Sequence, residues 1–200
     1  MNKYLPTADG VLPEQLQSAS RTPSRPVVGI DLSLTGTGVT IIDSEIHTAL
    51  FGAKGHKDDT LQMRAERLEL LFAQIVNVIP ENAFVVIEQP AYSRTQGSQH
   101  DRSGIWWLIV HHLYQFHDVV EVVPSTLKKY ATGKGNASKD EVLAAVVRRY
   151  LDVNVTDNNV SDSLVLAAIG ARFLGRPLEE SLPQTHMAAM TAIQWPNRKA

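Results

Sequence analysis

Apolar residues recur along the chain with two different periods, and the switches between them divide it into elements. Residues 27–30 and 38–42 are short β-branched runs joined through Thr and Gly, and Asp43-Ser44 turns the chain into a third run, 46–51. This is the pattern of a three-stranded meander. From 60 to 79 the apolar positions Leu61, Ala65, Leu68, Leu71, Phe72, Ile75, Val76 and Ile79 fall three or four apart and stop at Pro80, which predicts a helix. Residues 84–87 are uniformly apolar, as a central strand covered on both faces requires. Residues 118–123 repeat that signature before Pro124, and a helix is expected over about 104–117 between the two. Two more helices are expected after that: 139–151, with Ser138 as N-cap and Glu141 three residues on, and 159–174, stopped by Gly175 and Pro177.

Three strands, then helix, strand, helix, strand and further helices describe an α/β chain with a mixed five-stranded sheet flanked by helices on both faces. That order is compatible with a ribonuclease H-like fold. In such a sheet the ends of the first and fourth strands are neighbours, which would bring Asp31 beside Glu88. Residues 1–26, with Pro6, Pro13, Pro23 and Pro26 and no sustained period, read as a loosely held arm. The domain itself is expected over 27–175, and 176–200 is expected to be a tail, since the pattern from Leu178 onward is too mixed to assign.

Composition narrows the chemistry. With 200 residues, 44% of them hydrophobic, the chain can bury one sizeable core. The absence of cysteine excludes disulfides and thiolate metal sites. No apolar run is long enough to span a bilayer, and Met1-Asn-Lys-Tyr-Leu-Pro contains no apolar signal core. A cytoplasmic protein with no membrane partner is expected, in the host cytoplasm if the chain is viral. A net charge of -2 gives no global sign of nucleic-acid binding. Locally, however, Lys128, Lys129, Lys134, Lys139, Arg148 and Arg149 face only Asp140 and Glu141 between 122 and 150. Taken alone, that run is an ordinary solvated helix face.

Three acids stand out by position. Asp31 closes the run 27–30 and opens a glycine-rich stretch to Gly38, Glu88 closes 84–87, and Asp162 opens the apolar pattern 164–169. Oxygen ligands without cysteine suit Mg²⁺ or Mn²⁺. Singly, each acid has an ordinary reading: Asp31 as a turn cap, Glu88 as an acid leaving the sheet for solvent, and Asp162 as the third residue of a capping box begun by Asn159.

Four stretches in order carry a resemblance. They are Gly29-Ile-Asp-Leu-Ser-Leu-Thr-Gly-Thr-Gly38, Val86-Ile-Glu-Gln-Pro90, the run from Pro124 through Thr132-Gly133-Lys134-Gly135 to Lys139 and Val142, and Asn159-Val-Ser-Asp-Ser-Leu-Val-Leu-Ala168. Together, over about 27–175, they resemble the RuvC-type Holliday junction resolvases of the ribonuclease H-like superfamily. A phage or divergent bacterial member is the expected source. The resemblance implies a homodimeric, metal-dependent endonuclease that cuts opposed strands of a four-way DNA junction with two Mg²⁺ ions per active site, Mn²⁺ substituting. It implies that Asp31 bridges the ions, that Glu88 and Asp162 each hold one, that Lys139 acts at the site, and that Lys128 contacts phosphate. Where the family has an acid or histidine three positions before the last Asp, this chain has Asn159, with Asp157 close by as another donor.

Further DNA contacts are expected from Lys134 in the Thr-Gly-x-Gly turn, and from Arg94 and Arg102 around the loop after Glu88. Tyr92 is a candidate for stacking on an unpaired base, although the family's aromatic falls at the position of Ala91. Trp106 and Trp107 are helical neighbours pointing about 100° apart, so one can enter the core. The other, beside Ile109 and Leu113, suggests a partner surface matching the family's two-fold contact. His111, His112 and His117 on the same helix offer no metal-ligand spacing. A flap nuclease with the same active site, a non-catalytic junction-binding scaffold and a sugar-kinase-like ATPase are the competing readings. The last lacks a second glycine-rich phosphate turn.

Overall fold

A computed structural model describes residues 24–90 and 99–196. Tyr92 and Arg94 lie outside the described residues. Strands β1 (Val27–Asp31), β2 (Thr37–Ile42) and β3 (Ile46–Phe51) form the expected antiparallel meander. They are followed by α1 (Leu61–Val76), β4 (Phe84–Glu88), α2 (Gln99–Leu113) and β5 (Asp118–Val122). Then come α3 (Pro124–Thr132), α4 (Lys139–Arg149), α5 (Asn158–Phe173) and a short α6 (Gln184–Met187). The sheet order is β3-β2-β1-β4-β5, with β4 parallel to both β1 and β5. Among the described residues no helix is long and apolar enough to cross a membrane.

Strand alternation divides the core. Val28, Ile30, Val85 and Ile87 face one layer with Leu71 and Ile75 of α1 and Ile105 and Ile109 of α2. Val27, Phe84, Val86 and Val120 face the other, with α3, α4 and α5. Because successive side chains point to opposite faces, Asp31 (in step with 27 and 29) and Glu88 (in step with 84 and 86) emerge on the α5 side.

α5 lies directly on the sheet. A Cβ on Gly29 would stand 2.1 Å from Ser163 O and 2.4 Å from Ala167 N, and one on Gly38 would stand 2.1 Å from Asn159 O. Glycine at these two strand positions is what lets the helix backbone approach so closely. A buried hydrogen bond of 2.8 Å between Thr40 Oγ1 and Ser163 Oγ fixes the register of helix on strand.

Several expectations change. α2 begins at Gln99 and ends at Leu113 rather than spanning 104–117. Its polar first turn is held from outside, as Asp101 accepts hydrogen bonds from Arg64 and Arg67 of α1. α3 was not foreseen from periodicity: nine residues with Pro at the first turn bury only Thr126, Leu127, Tyr130 and Ala131, too few for a period to stand out. Gly133, at φ 81°, ends it in the left-handed conformation. The stretch after Gly175 packs as part of the domain instead of trailing from it. Ala189 and Ile193 join the core, and Trp195 stacks on Phe173 with centroids 4.1 Å apart. At the other end, Arg25 donates to the carbonyls of Asn82 (2.8 Å) and Ala83 (2.9 Å) and pairs with Asp118 at 2.6 Å.

Candidate active site

One cavity of about 340 Å³ opens where the C-terminal ends of β1 and β4 meet the start of α5. Asp31, Glu88, Asp162, Asn159, Lys128, Lys139 and Arg102 all line it. Seven of the residues singled out in the sequence, drawn from six different elements, therefore meet in one place. Lys134 does not. The left-handed turn at Gly133 precedes it, and it lines a separate groove of about 630 Å³ with Arg148, Arg149 and His186, so the further DNA contact expected of Lys134 would lie outside the acidic pocket.

The acids are arranged as a pair and a third. Parallel pairing sets Ile30 opposite Ile87, so the next residues, Asp31 and Glu88, lie side by side, and their carboxyl groups share a hydrogen bond. Asp162 stands across the pocket on the first turns of α5. The N-cap of that helix is Asp157, whose Oδ1 accepts from the backbone N–H of Asn159 (2.8 Å) and Val160 (2.9 Å). Asp162 is thus not part of a capping box, and Asp157 is occupied as the cap. Asn159 is the residue that faces the pocket.

Burial sets the electrostatics. Removal from water pushes the Glu88 carboxyl up to about 9, and the charges of Asp31 and Asp162 add to the effect while Lys139 opposes it. Asp162 is pushed up to about 7, again by burial first and then by Asp31, with Lys139 and Lys128 opposing. Asp31 is raised as well, chiefly by burial, against the hydrogen bond from Glu88 and the charge of Lys139. Three desolvated carboxyl groups with two lysines at the rim form a site poised to exchange protons for a divalent cation. The donor set fits a hard cation: carboxylate oxygens, an amide oxygen from Asn159 and room in the cavity. Among the described residues no three Asp, Glu or His side chains already stand in a closed chelating group; a coupled pair faces a third acid instead.

Burial also gives the metal-free protein a pH dependence. Glu88 and Asp162 bind protons more tightly folded than unfolded, where their ordinary values are 4.5 and 3.8. The stabilisation is therefore complete below about 4 and is lost as pH rises through about 7 and then about 9. The melting temperature of the metal-free protein should fall between about pH 5 and pH 9, and a divalent cation should restore it most at the alkaline end. A flat profile, or one that rises with pH, would contradict the arrangement.

The sequence assigns no role at the site to three further residues found there. Trp106 enters the core, and its indole Nε1 donates to the Glu88 carbonyl at 3.1 Å, tying α2 to the end of β4. Gln89 and Gln99 line the pocket as well. The adjacent Trp pair was the only signal for the first of these, and nothing in the spacing marked the glutamines. Trp107 is 64% exposed, but Ile109 and Leu113, expected beside it, are buried. The apolar stripe that accompanies Trp107 is Val110 and Tyr114, one and two turns further along the same face.

Comparison with known proteins agrees with this geometry. Residues 27–170 match the family described as crossover junction endodeoxyribonuclease RuvC. Sequence comparison with curated proteins gives no match. Among solved structures, the fold is similar to that of Thermus thermophilus RuvC, with a TM-score of 0.54, 18% identity, and coverage of 76% of this chain and 98% of that one. It is likewise similar to T. thermophilus RuvC in complex with Holliday junction substrate, with a TM-score of 0.57, 19% identity, and coverage of 76% and 97%. With the family matched over residues 27–170 of this chain and the acidic pocket at the sheet end, the chain belongs to the RuvC family of crossover junction endodeoxyribonucleases, metal-dependent nucleases that resolve Holliday junctions.

Proposed function

We propose that the chain cuts opposed strands of a four-way DNA junction as a homodimer, each subunit using Asp31, Glu88, Asp162 and Asn159 to hold two Mg²⁺ ions, with Mn²⁺ able to substitute. The observation that carries this reading is the convergence of the three acids, Asn159, Lys128 and Lys139 on one pocket. Bound there, the ions would activate a water, orient it in line and stabilise the departing 3′ oxygen. Asp31, at the end of the central strand and beside Glu88, would be a ligand from the middle of the donor set. Lys139, in the first turn of α4, offsets the charge that grows on the scissile phosphate. Lys128 and Arg102 hold the backbone on either side, while Lys134 contacts phosphate further out.

Symmetric cutting needs two active sites in related orientation. The α2 face with Trp107 and Tyr114, 64% and 63% exposed, is the surface on which a second subunit would pack. Trp107→Glu should convert a dimer into a monomer in sedimentation at micromolar concentration and abolish paired cutting. A wild-type chain that sediments as a monomer would rule out this arrangement.

Asn159 supplies an oxygen without a charge. Asn159→Asp should lower the Mg²⁺ concentration needed for half-maximal cleavage, by about tenfold or less for one added carboxylate at this partly solvated position. An unchanged Mg²⁺ requirement would remove Asn159 from the ligand set. The reading as a whole is tested by incubating a synthetic four-way junction, a flap and a linear duplex with Mg²⁺ and the wild-type or Lys139→Ala chain. Junction cleavage that is strongly slowed, though still measurable, with Lys139→Ala supports it. Preferential flap cutting would shift the substrate, and junction binding without cleavage would make the chain a scaffold.

A further inference from the structure

A buried carboxylate lies behind the two lysines. Glu179, 8% exposed, falls beyond the residues matched to the family. It accepts from the Tyr130 hydroxyl of α3 at 3.1 and 3.2 Å, from the Tyr150 hydroxyl at the C-cap of α4, and from Arg172 of α5 at 2.8 Å. Arg172 Nε in turn donates to the Tyr130 oxygen at 2.9 Å. Arg149 adds a second layer, donating to the Tyr130 and Ala131 carbonyls at 3.3 and 2.7 Å. A single carboxylate therefore joins α3, which carries Lys128, to α4, which begins at Lys139, and both of these to α5, which carries Asp162 and Asn159.

The node has little to recommend it as a source of cohesion. A buried ion pair regains in Coulomb attraction roughly what it loses in desolvation. It does fix geometry: α3 is nine residues long with no side-chain N-cap, and Lys128 and Tyr130 are two positions apart, so a rotation that frees Tyr130 also turns Lys128. We propose that Glu179 is a positioning residue that holds α3 and α4 so that Lys128 and Lys139 reach the catalytic pocket. This rests on the roles proposed above for the two lysines.

The test combines Glu179→Gln and Tyr150→Phe with a Lys128→Ala/Lys139→Ala background, assayed on a four-way junction in Mg²⁺ well below each variant's melting temperature. Glu179→Gln should lower kcat/KM by about tenfold to a hundredfold, as small misplacements of positioning groups do, and Tyr150→Phe should lower it less. In the lysine-free background Glu179→Gln should add less than about twofold, because its effect passes through the lysines. A lower melting temperature with full kcat/KM, or an undiminished loss in the lysine-free background, overturns the inference while leaving the lysines' role intact. Wild-type cleavage by the lysine variants would instead remove the role of the lysines, and the inference with it.

Discussion

Asp31→Asn is expected to slow junction cleavage by at least about a thousandfold in Mg²⁺ while leaving junction binding within a few fold. Asp31 is 9% exposed, lies at the end of the central strand and shares a hydrogen bond with Glu88. Asparagine keeps the shape and removes the charge. The same substitution should make the metal-free protein more stable near pH 8, because the Asp31 charge is one cause of the upward shift at both Glu88 and Asp162. Loss of activity with a gain in metal-free stability marks a site built for a cation rather than for the fold. Single-turnover cleavage and thermal unfolding in a chelator would measure both effects. Near-normal cleavage would remove Asp31 from the chemistry, and a loss of stability would recast it as a structural acid.

The second large effect is on the fold. Gly29→Ala should cost about 3 kcal/mol or more, at the upper end for overpacking, and lower the melting temperature by roughly 6–12 °C for a domain of this size. The added Cβ would meet Ser163 O at 2.1 Å and Ala167 N at 2.4 Å. These are backbone atoms of a buried helix and cannot swing aside as a flexible side chain would. The only relief is to lift α5 from β1, which also carries Asp162 and Asn159 away from Asp31, so cleavage should fall even at temperatures where the variant is folded. A variant with wild-type stability would mean that the helix does not rest on the strand.

How far the sequence could be read follows the regularity of the interactions involved rather than their length. The adjacency of Asp31 and Glu88 was legible although they are far apart in sequence, because the element order matched a layout in which the first and fourth strands pair; alternation then puts 27-29-31 and 84-86-88 on one face, and the register brings the two ends together. Ser138 and Glu141 were legible because the partners of a capping box lie only three residues apart, and they form the expected one. A ligand role for Asp162 is suggested in the sequence only by the order of four motifs, since its spacing from Asn159 also fits a cap that Asp157 in fact provides. What escaped was set by single side-chain contacts between elements, which no period or motif records. Nothing near Glu179 announces Tyr130, Tyr150 and Arg172 as partners, so the stretch after Gly175 looked like a tail. Lys134 was placed by its motif, yet it follows a left-handed glycine and lines a different groove.

If Asp31, Glu88 and Asp162 form a metal-dependent centre for resolving junctions, mapping cuts on all four strands of a synthetic junction with Mg²⁺, with chelator, and with Glu88→Gln in place of the wild-type chain will show it. Symmetry-related nicks in one opposed pair of strands are expected, seen only with the wild-type chain and metal. Cuts that persist in chelator or with Glu88→Gln, or no cuts by a folded wild-type chain, would contradict it.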